Sequence, residues 1–184
     1  TRLGWRAFDR SIYKIAVWGY FHGANRDPGK DAGATTITYV EGKNWFWYIP
    51  LQDDIVSVGI VGGRDYLMGK TNDLGTIFND GVRKNAWIEK HIKSGSLSDQ
   101  GYMVNAHISY RSRYCAKDGL ILIGDALSFL DPVFSTGLFL ALRSGELAGD
   151  AVESALKAGD VSAKRFIDYG EIMCRRIEIL RQLV

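Results

Sequence analysis

Gly119-Leu120-Ile121-Leu122-Ile123-Gly124-Asp125-Ala126, followed by a loop carrying Phe129, Asp131, Pro132, Ser135 and Gly137, decides how this chain is read. A run of Leu and Ile ending in Gly-Asp predicts a strand buried on both faces. Gly124 lets a ligand approach the backbone closely. Asp125 offers a carboxylate that accepts hydrogen bonds from hydroxyls. Ser135 to Ala158 then reads as a long helix, apolar at Leu138, Leu142, Leu147, Ala148, Ala151 and Leu156 and closed by Gly159. Backbone N–H groups of the loop and helix start favour an anionic or electron-rich ligand. On spacing alone an ordinary strand-to-helix turn, with Ser135 as an N-cap, fits equally well.

Working outward, residues 1–13 form a connector anchored by Leu3, Trp5 and Phe8. Lys14 to Gly23 has the aromatic and β-branched content of a strand. Asp27-Pro28-Gly29 marks a turn. Thr35 to Val40 and Asn44 to Pro50 pair as a hairpin across Glu41-Gly42-Lys43, and Asp53-Asp54 turns the chain into a further strand, Ile55 to Val61. Short turns between these strands imply an antiparallel sheet. Strand alternation puts Trp45 and Trp47 on one face, Phe46 and Tyr48 on the other. Asp73 to Ser94 has helical spacing, weakened at Gly81 and Asn85, and Met103 to Tyr110 alternates as a fifth strand. A last helix starts at Ser162 as N-cap and runs through Phe166, Tyr169, Met173 and Ile177.

The chain has 184 residues, enough to bury a sizeable core. Its 23 basic and 21 acidic residues give a net charge of +2 and are dispersed, which argues against nucleic acid as a partner. No apolar run approaches the roughly 18 residues of a membrane span, and Thr1-Arg2-Leu3-Gly4-Trp5 is no signal peptide. Cys115 and Cys174 are too few for a disulfide framework and lack metal spacing, so they are expected as reduced, partly buried thiols in a cytoplasmic protein. His22, His91 and His107 are scattered and read as surface residues, with no metal site. No Gly-x-Gly-x-x-Gly sits in a strand-turn-helix unit.

The Gly124-Asp125 segment resembles the second flavin-contacting motif of the flavoprotein monooxygenase superfamily, in which a Gly-Asp pair meets the ribityl chain of FAD. Within it, the chain resembles the flavin-dependent halogenases. Their Trp-x-Trp-x-Ile-Pro is matched by Trp45, Trp47, Ile49 and Pro50, and their Phe-x-x-Pro-x-x-Ser-x-Gly by Phe129, Pro132, Ser135 and Gly137. Two motifs in the family's order, about eighty residues apart, are more specific than either alone.

The resemblance implies an α/β chain, more narrowly an α+β fragment. Residues 1–110 would be a substrate-binding sheet domain with one helix, and residues 111–184 an FAD-contacting strand, loop and C-terminal helices. With no glycine-rich fingerprint and no initial methionine, the chain is expected to be the C-terminal part of a longer protein, inactive alone. FAD, reduced by a separate flavin reductase or NAD(P)H, would meet Gly124, Asp125, Pro132, Ser135, Thr136 and Gly137. Trp45, Trp47 and Ser135 would be the catalytic positions: the indoles screen organic substrate from the activated flavin, while Ser135 and Gly137 offer donors to chloride or bromide, whose bare burial is costly. These positions are expected to converge on one pocket; otherwise the tryptophans belong to a core between the sheet and the 73–94 helix.

Hypohalous acid would then halogenate an electron-rich aromatic ring. Tryptophan-type halogenases carry a glutamate before the motif serine; here Phe134 stands there after Asp131-Pro132-Val133, which argues against free tryptophan. A phenolic or pyrrolic substrate, free or tethered to a carrier protein, suits the resemblance better. The lysine that passes on oxidised halogen would lie upstream. An FAD-dependent hydroxylase or geranylgeranyl-reductase-like enzyme on the same fold, and a non-catalytic binding remnant, are the alternatives.

Overall fold

The computed structural model describes residues 3–9, 13–106 and 109–184. In chain order come β1 (Arg6–Phe8), β2 (Lys14–His22), β3 (Thr36–Tyr39), β4 (Trp45–Pro50) and β5 (Ile55–Gly63). Helices α1 (Arg64–Met68), α2 (Leu74–Val82) and α3 (Ala86–Ile92) follow. Next are β6 (Ser96–Leu97), β7 (Met103–Ala106), β8 (Tyr110–Ser112), β9 (Ala116–Lys117), β10 (Leu120–Ile121) and β11 (Ser128–Phe129). Helices α4 (Gly137–Lys157) and α5 (Ile167–Arg181) complete the chain. These elements form two units, Tyr13–Ala106 and Thr1–Ile12 with His107–Val184. The sequence drew a single boundary at 110; the chain instead crosses twice, because β1 pairs with β8.

In the sheet unit, β2 and β5 pair antiparallel along their whole length, from Lys14↔Gly63 to His22↔Ile55. β4 and β3 extend the sheet beyond β5, while β6 and β7 share the far edge of β2. Asp53 and Asp54 both take left-handed backbone at φ 56° and 57°, a turn whose twist matches the strands it joins. Val17, Phe46, Tyr48, Val58 and Ile60 face α2 and α3 and pack with Phe78 and Ile88 in one core. The helix expected over 73–94 is two helices. Asn85 interrupts it, its carboxamide oxygen accepting the Ile88 N–H at 3.1 Å and so capping a new start, as Asp73 caps α2.

His91 overturns its reading as a surface residue. Its ring is buried, stacked on Trp87 at 3.6 Å, with Nε2 3.1 Å from Asp27 Oδ1 and Nδ1 2.8 Å from the Trp87 carbonyl. His22 is exposed, and His107 lies outside the described residues.

The second unit holds the three-stranded sheet β1-β8-β11, the hairpin β9-β10 and helices α4 and α5. Leu127, Leu130, Leu140, Ala148, Tyr169, Met173 and Ile177 form its core. The expected fifth strand is split: β7 pairs with β2, and β8 belongs to this other sheet. The Leu120–Ile123 run is not buried on both faces. Only Leu120 and Ile121 pair, with β9 alone, and Ile123 is 46% exposed. Helix α4 starts at Gly137 rather than Ser135, after a 3-10 turn Pro132–Phe134. Its buried positions are Leu140, Ser144, Ala148 and Ala155, whereas Leu138 and Leu142, expected inside, are 71% and 68% exposed. Ser162 does not cap with its side chain; Asp118 Oδ1 accepts the Ala163 N–H at 2.8 Å instead. Both cysteines are free; Cys115 is half-buried, which pushes its thiol pKa up, and Cys174 is exposed rather than partly buried. No helix among the described residues is long and apolar enough to cross a membrane.

Candidate functional site

The Gly-Asp turn is a single 3-10 turn, Gly124–Ala126, entered from extended Ile123. Gly124 has φ +51°, which L side chains rarely adopt, and a Cβ there would sit 3.4 Å from Ala141 Cβ on α4. The positive φ is what favours glycine here, since a Cβ would meet α4 only at ordinary contact distance. Three side chains hold the turn. Ser144 Oγ accepts the Gly124 N–H at 2.8 Å, Tyr110 Oη donates to the Asp125 carbonyl at 2.7 Å, and Tyr169 Oη donates to the Leu122 carbonyl at 2.6 Å. Asp125 itself is exposed and borders a cavity of about 400 Å3. Trp5, Arg6, Tyr110, Ser112 and Leu122 line it, and the Arg6 guanidinium lies 3.7 Å from the Tyr110 ring centre. Apolar walls, one carboxylate and one cation suit a flat, hydroxyl-bearing ligand.

The loop that follows is fixed at its base and open at its tip. Asp131 is fully buried and its Oδ1 accepts the Val133 N–H at 3.1 Å, setting up the Pro132 turn. Ser135 is exposed and left-handed at φ 52°, ψ 35°, a strained conformation for a residue with a Cβ. It is not the N-cap of α4. Thr136 holds that place and makes no side-chain cap bond, so no capping hydroxyl occupies the first-turn amides. Nothing lies within 4 Å of a Cβ built on Gly137. A hydroxyl pair and uncapped helix amides therefore form an accessible donor set for electron-rich atoms.

On the sheet unit the alternation places Trp45 and Trp47 away from the helices. The core between sheet and helices takes Phe46 and Tyr48, so the tryptophans do not belong to it. Gly59 is the cross-strand partner of both Trp47 on β4 and Trp18 on β2, and the two indoles meet over its bare face, 6.3 Å apart. Trp47 Nε1 donates to Ser57 Oγ at 3.0 Å, and Trp45 packs 6.1 Å from Trp47. The Trp45 indole N–H is buried with no hydrogen-bond partner among the described residues.

Residues 23–184 match the profile of the tryptophan halogenase family. The chain belongs to that family. It is 31% identical over 158 residues to a tryptophan 2-halogenase of Chondromyces crocatus, covering 85% of this chain and 30% of that protein. It is also 31% identical over 159 residues to a pyrrole-2-carbonyl peptidyl-carrier-protein brominase of Pseudoalteromonas luteoviolacea, covering 85% of this chain and 39% of the relative. Among solved structures, the flavin-dependent brominase Bmp2 superposes with a TM-score of 0.82 at 27% identity, over 97% of this chain and 44% of that one. The myxobacterial chondrochloren halogenase CndH gives a TM-score of 0.81 at 28% identity, covering 97% and 41%. The chain thus spans about a third of the length of these curated relatives, and its mixed helix and antiparallel-sheet fold is part of the FAD halogenase fold.

Within this halogenase-family chain, Gly124, Asp125, Pro132, Ser135, Thr136 and Gly137 follow one another on the C-terminal unit, whereas Trp45 and Trp47 stand on the sheet unit. The sequence reading missed Tyr110, Ser144 and Tyr169 behind the turn, Arg6 in the cavity, and Trp18 and Gly59 under Trp47. Ser144 carried a readable signal, a lone hydroxyl among the apolar positions of α4. Arg111 is exposed, its guanidinium 3.8 Å from the Glu178 carboxylate.

Proposed function

We propose that this chain is the flavin- and substrate-facing part of an FAD-dependent halogenase acting on an electron-rich phenolic or pyrrolic ring. The observation that carries the reading is the exposed Asp125 carboxylate on its glycine turn, beside the uncapped start of α4, in a chain that keeps both family motifs. Asp125 would accept hydrogen bonds from ribityl hydroxyls of FAD, and the cavity beside it supplies apolar walls. Ser135, Thr136 and the Gly137 amide would offer donors to electron-rich edges and to chloride or bromide. When bound, FAD supplies the oxygen activation that turns halide into an electrophile. Trp47, braced on Trp18 and Gly59, and Trp45 would narrow access to a halide and exclude an aromatic ring.

Two relatives of equal identity are named for different substrates, tryptophan and a carrier-bound pyrrole. Phe134, exposed where tryptophan-type members carry glutamate, favours the phenolic or pyrrolic class. A carrier protein and a flavin reductase are the partners this reading implies, in the cytoplasm, where two free thiols persist. The test is turnover of the gene product containing this chain, supplied with FAD and a reductase, on free tryptophan, a phenol and a carrier-bound pyrrole. Halide-dependent halogenation of the phenol or pyrrole supports the proposal. Hydroxylated product independent of halide would move the chain to the hydroxylase reading.

A further inference from the structure

Three backbone groups of the Leu122–Asp125 segment, the Leu122 carbonyl, the Gly124 N–H and the Asp125 carbonyl, are held by side chains from three different elements, Tyr169 on α5, Ser144 on α4 and Tyr110 on β8. Ser144 is fully buried between Leu140 and Ala148 on the apolar side of α4. A hydroxyl there is costly unless bonded, and both its bonds serve the turn and its support: it accepts from Gly124 N–H and donates to the Ala141 carbonyl at 3.1 Å. Tyr169 is likewise buried, and its hydroxyl donates to the Leu122 carbonyl. Alanine at 144 and phenylalanine at 169 would keep the side-chain carbon that packs and remove the hydroxyls that hold the turn. These hydroxyls leave the Asp125 carboxylate as an exposed polar group held on a fixed backbone.

We infer that Tyr110, Ser144 and Tyr169 are positioning residues that preorganise the Gly124-Asp125 turn for the flavin, an assignment that rests on the flavin reading above. Ordering a turn before the ligand arrives removes that entropy cost from binding. None of the three needs to touch the cofactor by its hydroxyl.

The test uses the 184-residue chain, with amide exchange and FMN titration followed by NMR. FMN carries the ribityl chain and dispenses with the adenosine half. For the parent chain, shifts centred on Gly124 and Asp125 are expected with an apparent dissociation constant of about 1 mM. In Ser144→Ala, exchange at the Gly124 amide rises about tenfold while the amides of α4 beyond Ala148 stay protected, and FMN affinity at the turn falls about fivefold. Tyr110→Phe and Tyr169→Phe keep their rings and weaken FMN to a similar degree, and they carry the test should Ser144→Ala fail to fold. A purely structural role would loosen the whole unit uniformly instead. If the parent responds to FMN and the variants bind it equally well, the positioning assignment is wrong. If the parent's turn ignores FMN while its exchange follows the hydroxyls, the flavin reading itself is wrong.

Discussion

Replacing Gly59 by alanine is a one-carbon change that the sheet has no room for. A Cβ at position 59 would overlap the six-membered ring of Trp47 and lie 2.6 Å from Trp18 Cβ, where ordinary contact begins near 3.4 Å. Trp47 is half-buried and its indole can swing, but swinging forfeits the 3.0 Å bond to Ser57 and the 6.3 Å packing on Trp18. Trp18 Cβ cannot swing, since it is fixed to the β2 backbone, so the β2–β5 pairing must spread. Overpacking of this kind costs about 1–3 kcal/mol, the hydrogen bond about 1 kcal/mol and the aromatic pair about 0.5–1.5 kcal/mol. Against these, Gly→Ala returns about 0.4–1 kcal/mol by restricting the unfolded chain. The expected net loss is about 2–4 kcal/mol.

Urea unfolding of the sheet unit, followed by far-UV circular dichroism, reads this directly. With an m-value of about 1–3 kcal/mol/M the midpoint should fall by about 1–2 M. Near-UV dichroism should change as Trp47 leaves Trp18. Gly33→Ala, at a site with nothing within 4 Å of the new carbon, is the matched control and should leave the midpoint in place. In a Trp47→Ala background the Gly59→Ala penalty should shrink by more than half, leaving the Trp18 overlap. An unchanged midpoint and tryptophan spectrum for Gly59→Ala would refute the account of why a glycine interrupts this strand.

Ser135→Gly should relieve the left-handed strain at φ 52° and stabilise the C-terminal unit by about 1 kcal/mol, measured as a raised thermal midpoint; a lowered one would mean the hydroxyl outweighs the strain. Burial pushes the phenols of Tyr48 and Tyr169 from 10 to about 12. The fold thus holds the protonated phenol, and the associated stability, present below pH 10, is lost as pH rises through 12, by about 2–3 kcal/mol for each. Alkaline unfolding that tracks phenolate absorbance, shallower in Tyr169→Phe, checks this; titration of every tyrosine near 10 in the folded chain would contradict it. In the gene product that contains this chain, Asp125→Ala should weaken FAD binding by about 1.5–3 kcal/mol, read as a rise in the flavin dissociation constant. The 184-residue chain alone should lose FAD on desalting; a preparation that stays yellow with stoichiometric flavin would show otherwise.

What was legible in the sequence was whatever a local period or turn residue encodes. The hairpins through Gly42 and Asp53-Asp54, and the split of Trp45 and Trp47 from Phe46 and Tyr48, follow from alternation and from residues that tolerate positive φ. The break at Asn85 was half visible: a poor helix former was seen, but not that its side chain would cap the next helix. His91 looked like a surface residue because Asp27 comes from a remote loop that no spacing rule joins to it; Trp87, four residues earlier on α3, was the one partner that helical spacing could have offered.

The site shows the same division at finer grain. Gly124 and Asp125 were readable because a positive φ and an exposed carboxylate are each met by few residue types, which leaves a trace in a single sequence. Their supports were not, because a hydroxyl that holds a carbonyl can come from any element the fold brings near: here from positions 110, 144 and 169. Helix α4 makes the point twice. Periodicity assigned Leu138 and Leu142 to its buried face, yet the face that packs is set by Leu140, Ser144 and Ala148, the last two small enough to let the helix approach its neighbours. Had the helix been rotated to bury Leu138 and Leu142, Ser144 would face away from Gly124 and the turn would lose its central bond. The rotation that looks wasteful of apolar surface is therefore the one that fixes Asp125 in place.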